Sequence, residues 1–233
     1  MNYTAAISDF FKTPHWPRNL LFGAICVLLP IVGPIVLTGW MVIGFWGRDS
    51  DDPAAFPEFQ FDDFATYLER GLWPFLVLFV STLVMMAPFF FLMLVAVFGT
   101  AFFADHPNGG CVAAVSWLGT MCLFFVVMIL FSLVIAPLKL RASLTQSFSQ
   151  AFDLSFVKRF ITLTWKETLL ASLFLMLVNI VFMVVGMLAL FVGIYFVMVP
   201  FYFAVTHITK QLYRLYLDRG GAAVPISPKL RTT

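Results

Sequence analysis

Long apolar runs alternate with short polar connections along this chain of 233 residues. No Asp, Glu, Lys or Arg occurs in 19–47, 71–104, 106–138 or 168–209. A helix needs about 20 apolar residues to cross a hydrocarbon core of about 30 Å. Each window meets that length. The last would reach about 63 Å as a single helix, so it predicts two. The pattern thus predicts full spans over about 73–101, 112–136, 168–189 and 195–216, with Gly186 and Gly193 bracketing the final turn.

The first window, about 19–46, is different. Pro30, Gly33 and Pro34 sit near its middle, where a spanning helix is normally regular. Proline removes a backbone donor and clashes with the preceding turn, so the segment is predicted to break there. It either crosses or enters and folds back, and mid-depth breakage favours a re-entrant form. Backbone groups opened at that depth need cover from protein.

Two polar connections show helical periodicity. In 61–72, Phe61, Phe64, Leu68 and Leu72 share a face, with acids and Arg70 elsewhere. In 142–165, Leu144, Phe148 and Phe152 share a face that Phe156, Phe160 and Ile161 continue. Both read as amphipathic helices on the membrane surface. Asp153 or Ser155 is expected to cap a break in the second. The domain reading is one polytopic unit over 1–218 and a mobile tail over 219–233, which has two Gly and two Pro.

Composition fits an all-α integral membrane protein: 61% of residues are hydrophobic and 11% charged, against roughly 25% charged in soluble domains. The first apolar run is too long and aromatic for a cleavable signal, so it is expected to remain in the mature protein. Positive residues favour the cytoplasmic side. A crossing first segment with a cytoplasmic N-terminus would leave 12 of the 14 Lys and Arg outside, which excludes it. The two remaining arrangements place connections 47–72 and 139–167 and the C-terminus in the cytoplasm of a cell with an inner membrane. Those connections carry −5 and +3, so mutual pairing is one expectation and separate lipid and protein contacts another.

The spans offer little chemistry. Ionisable residues in membranes are functional by default, and these spans have no Asp, Glu, Lys or Arg. No phosphate-cradling loop, standard zinc spacing or nucleophile elbow occurs. Neither catalytic nor metal-ligating residues are predicted, and no cofactor or nucleic-acid partner. Cys26, Cys111 and Cys122 read as small apolar residues. Asp105 and His106 read as part of a turn. Asn179, mid-span, suggests a bond to a neighbouring helix, or else a pore or ligand contact. His207 suggests an interfacial imidazole, with pigment or haem ligation as the sharper alternative. Gly39, Gly44, Gly186 and Gly193 are candidates for close helix contact.

The order of four stretches is informative: "LLFGAICVLLPIVGPIVLTGW", "FPEFQFDDFATYLERGL", "QAFDLSFVKRFITLTWKETLLA" and "FVGIYFVMVPFYFAVTHITKQLY". Over about 15–217 the chain resembles the bacterial and archaeal family called domain of unknown function 4013, most specifically at 57–63 and 151–154. The resemblance implies a multi-span membrane protein and transfers no activity. The functional expectation is a non-enzymatic scaffold or accessory subunit with membrane lipids and other membrane subunits as partners. A transporter or pore component for a lipid or uncharged solute is the alternative, with Pro30, Gly33, Pro34 and Asn179 as its candidate hinge or ligand residues. A pigment- or haem-binding subunit through His207 is the third.

Overall fold

The computed structural model describes residues 1–48, 50, 52–102 and 108–230. Eight helices account for most of them: α1 (Tyr3–Ser8), α2 (Trp16–Val27), α3 (Val32–Trp46), α4 (Phe64–Phe102), α5 (Gly109–Thr145), α6 (Phe148–Ala151), α7 (Leu154–Leu188) and α8 (Gly193–Asp218). Among the described residues there is no strand. Three segments, Phe61–Phe102, Gly109–Thr145 and Leu154–Leu188, are helical, long and apolar enough to cross a membrane.

The first apolar window is a helical hairpin. α2 ends at Val27, and Pro30 follows two residues past the C-cap Leu28, where it bars further helix. Ile31 then takes φ 68°, a conformation costly for a β-branched residue, and the chain reverses. Pro34 falls in the first turn of α3, where its missing N–H leaves no bond unmade. Gly33 lies against the Cys26 carbonyl, and a methyl group there would overlap it. Gly23 in turn faces Leu37. These contacts pair the end of α2 with the start of α3, so the two helices run antiparallel. Their free ends return to the same end of the molecule.

α3 is the centre of the fold. Thirteen of its 15 residues are buried, with Val36, Leu37, Trp40 and Met41 fully so. α2, the start of α4, and α8 pack around it. The N-terminus joins this head. Asn2 donates its N–H to Gln211 on α8 at 2.6 Å, and its carbonyl accepts from Gln211 Nε2 at 3.0 Å. Tyr3 packs on Phe174 of α7, and Phe10 on Phe203 of α8.

The sequence boundaries need four corrections. First, 61–72 is not a separate surface helix. A 3₁₀ turn at Phe61–Asp63 leads into α4, which continues for 39 residues through Pro74 and Pro88. Its early buried positions, Tyr67 and Gly71, face α3, and Phe64 and Leu68 of the apolar face pack partly buried against the same core, while Phe61 stays exposed. Second, 142–165 is divided among the end of α5, α6 and the start of α7. Gln146 ends α5 with φ 52°. Asp153 caps α7, accepting from the N–H groups of Ser155 and Phe156 at 3.0 and 3.2 Å. The Ser155 hydroxyl, the Phe156 N–H and nearby Arg141 hold the Asp153 carboxyl below its usual pKa. Leu144, Phe156 and Phe160 are buried in the head.

Third, α8 is not among the three long apolar candidates. Its first half is apolar, but the second carries Thr206, His207, Thr209, Lys210 and Gln211. Ile208, Leu212, Tyr213 and Tyr216 bury that half in the head, and Lys210 donates to the Phe45 carbonyl at 2.7 Å. Fourth, the expected mobile tail is docked through Leu230. The Tyr213 and Tyr216 hydroxyls accept from the N–H groups of Val224 and Ala222, at 2.8 and 3.1 Å. Ser227 N–H donates to the Leu144 carbonyl at 2.8 Å, and Leu230 is fully buried beside Gly47.

Beyond the head, two antiparallel pairs extend as arms: α4 with α5, and α7 with α8. Phe89 meets Phe124 at 4.1 Å between ring centroids in the first pair. Gly186 and Gly193 touch in the second, with the turn between them carrying Leu190 and Phe191 at positive φ. Large apolar side chains face outward along the arms, such as Phe98 at 70% exposure and Leu118 at 67%. Such a surface requires an apolar solvent.

Candidate functional site

The family-like acidic stretch "FPEFQF" forms a strap across the mouth of the hairpin. Phe56 and Phe59 point inward and are buried. Trp40 lies edge-on to both at 5.4 Å and donates its indole N–H to the Pro57 carbonyl at 3.1 Å. Phe59 N–H donates to Asn19 Oδ1 at 2.8 Å. Asn19 is itself fully buried on α2, so the two bonds together tie the strap to both hairpin helices. Gly44 leaves room for the Phe56 ring, which a side chain at 44 would strike. Phe61 is exposed and packs against Phe22 and the edge of the buried Phe59 ring.

The strap's polar side chains border a cleft of about 390 Å³, lined by Arg48, Glu58, Gln60, Asp63, Thr66 and Tyr67. Arg48 is held by the carbonyls of Gly44 at 2.5 Å and Asp52 at 2.9 Å, with its guanidinium over Phe56. Glu58 pairs with Arg18 of α2 at 2.7 Å. The charges therefore clasp the strap to its neighbours. The acidic connection pairs with α2 through Glu58 and with the tail through Glu69 and Lys229 at 3.2 Å. Within the basic connection, Arg141 pairs with Asp153 at 2.8 Å. The two connections meet instead through an amide: Gln146 Nε2 donates to the Arg70 carbonyl at 3.2 Å.

His207 is packed in the head. Its ring stacks on Phe203 and meets the edge of Phe45. Nδ1 lies 3.0 Å from Gln211 Nε2, and Nε2 lies 3.7 Å from Asp9 Oδ2. Both ring nitrogens thus face protein groups, an arrangement suited to holding α1 and its following turn on α8. Among the described residues no three His, Cys, Asp or Glu side chains gather to hold a metal ion. Asp105 and His106 lie outside the described residues.

The structure brings Pro30, Gly33 and Pro34 together at the hairpin tip and leaves Asn179 elsewhere, in the last third of α7. None of the four lines the cleft under the strap. The Asn179 side chain makes no hydrogen bond among the described residues; the residue is half-buried, and Met176, one turn before it, is exposed. The "AFDL" stretch also holds structure in place, since Ala151 is fully buried and Asp153 caps α7.

A family described as a protein of unknown function, DUF4013, matches residues 22–192. The chain belongs to that family. The match runs from within α2 to the turn before α8, so the second half of α2, α3, the strap and α4 to α7 lie inside it. No curated protein and no solved structure matches. The two stretches that carried the resemblance thus serve DUF4013 architecture in this chain: one locks the hairpin, the other starts α7.

Proposed function

We propose that this DUF4013 protein is a non-enzymatic polytopic protein of the inner membrane, acting as a scaffold or accessory subunit. In this reading α4, α5, α7 and the charge-free stretch 193–209 of α8 are four spans, and the head faces the cytoplasm. The charge distribution supports that side: α4 after Arg70, α5 before Lys139, α7 between Glu167 and its end, and α8 before Lys210 carry no Lys or Arg. The α2–α3 hairpin enters the membrane only partway. Its exposed Leu21, Ile25, Leu28, Leu29 and Ile31 form the lipid-facing edge, and α3 stays covered by protein as opened backbone requires.

Asn179 carries the subunit reading. A primary amide left unpaired in hydrocarbon is costly; Asn179 has no partner among the described residues, and a helix of another subunit satisfies it. Asn179→Leu is expected to weaken association with that partner by about 1 kcal/mol, roughly fivefold. Purification from native membranes in a mild detergent, with cross-linking in the membrane beforehand, reads this. Wild type should carry a stoichiometric partner that the variant retains poorly. Wild-type protein that runs alone, with no cross-linked neighbour, refutes the subunit reading.

A further inference from the structure

A groove of about 250 Å³ lies where the α4–α5 pair meets α8, lined by Leu78, Ile135, Lys139, Met198, Tyr202 and Val205 among others. Lys139 is the first charge on α5 after the apolar window 106–138, so the groove sits where span gives way to head. Its walls are apolar except for the Lys139 ammonium and the Tyr202 hydroxyl. Neither side-chain group has a hydrogen-bond or ion-pair partner among the described residues, whereas Lys12, Arg18, Arg141 and Lys229 are each paired with an acid. The three helices that line the groove bring no acid close to it. α5 contains none, α8 has none before Asp218, and Glu69 is the only one on α4, more than two turns from Leu78. An ammonium and a hydroxyl, with no carboxylate in the lining of an apolar cleft, call for an anion with an apolar body. Exposed Phe79 and Val134, next in sequence to Leu78 and Ile135, continue the apolar surface along the arms.

We infer that this groove binds one anionic phospholipid, its headgroup phosphate on Lys139 and Tyr202 and its acyl chain along α4 and α5. A lysine ammonium is a point charge with three donors, matched to phosphate oxygens. A lipid supplies that phosphate at the depth where the groove lies. The inference rests on the membrane placement of the arms and not on a partner subunit, so its failure leaves the Asn179 reading intact.

The test uses the delipidated full chain in neutral detergent. Phosphatidylglycerol at roughly 100 times its dissociation constant should raise the Tm of wild type by about 5–10 °C. Phosphatidylcholine and inorganic phosphate should not. Lys139→Met should lose the rise, Tyr202→Phe should reduce it, and Lys139→Arg and the exposed-site control Lys158→Met should keep it. Without lipid, Lys139→Met should unfold at or above the wild-type Tm, because it buries no ammonium. Native mass spectrometry of wild type alone gives a second reading: one phosphatidylglycerol should survive collisional activation that strips phosphatidylcholine. An equal lipid response in Lys139→Met overturns the site. So does a response to inorganic phosphate matching that to lipid, or loss of both lipids at the same activation energy.

Discussion

Gly39→Ala and Gly71→Ala should each destabilise the protein by about 3 kcal/mol or more, at or above the upper range for overpacked sites. α3 and α4 cross here at backbone contact. A methyl group on Gly39 would overlap the Tyr67 carbonyl and come within 2.8 Å of the Gly71 nitrogen. One on Gly71 would overlap the Ile35 carbonyl and come within 2.7 Å of the Gly39 nitrogen. Backbone atoms cannot rotate away as a side chain can. The helices must part, and α3, the most buried element, loses its cover. Gly99→Ala and Gly119→Ala are the controls, since nothing lies within 4 Å of a methyl at either position. They should be neutral, or stabilising by up to about 1 kcal/mol through helix propensity. Thermal unfolding in detergent reads the contrast as a Tm loss of roughly 6–12 °C for the first pair and none for the second. Equal Tm values across all four variants would contradict the crossing.

Phe59→Ala should cost about 3–5 kcal/mol, the usual range for deleting a buried phenylalanine ring. The ring is fully buried, 5.4 Å from Trp40 and 5.2 Å from Tyr67 between centroids. Its loss leaves a hole where strap, hairpin and α4 meet. Glu58→Gln, one residue before, removes a pairing with a well-exposed Arg18 and should cost less than about 1 kcal/mol. The same unfolding assay, with Trp40 fluorescence as a local reporter, distinguishes the two. If Glu58→Gln proved the more damaging, the stretch would serve through its charge, and its reading as an aromatic plug would fail.

Much of this architecture is legible in the sequence. The charge-free windows mark the arms, and Pro30, Gly33 and Pro34 mark the break in the first one. Gly39 and Gly44 are at close contacts, and Gly186 and Gly193 touch at the last turn. The misreadings share a cause. Periodicity in 61–72 and 142–165 reports an apolar face but not what meets it: Phe64, Leu68, Leu144, Phe156 and Phe160 pack on the head, while Phe61 and Phe152 stay exposed. The tail looks mobile by its Gly and Pro content, because its bonds to the Tyr213 and Tyr216 hydroxyls and to the Leu144 carbonyl leave no mark in composition. Asn19 gives no local sign that it anchors Phe59, 40 residues on. Lys139 reads as one more cytoplasmic charge until the walls around it are known.

The central claim is that the first apolar window returns to its starting side, bringing both ends of the chain together. Single cysteines at the exposed positions Thr4 and Pro225 test it, in a chain whose Cys26, Cys111 and Cys122 are replaced by Ala. A membrane-impermeant maleimide added outside intact spheroplasts should label neither position, and both should react once the membrane is opened. Labelling of position 4 from outside while position 225 stays protected would mean that the segment crosses the bilayer, and would contradict the hairpin.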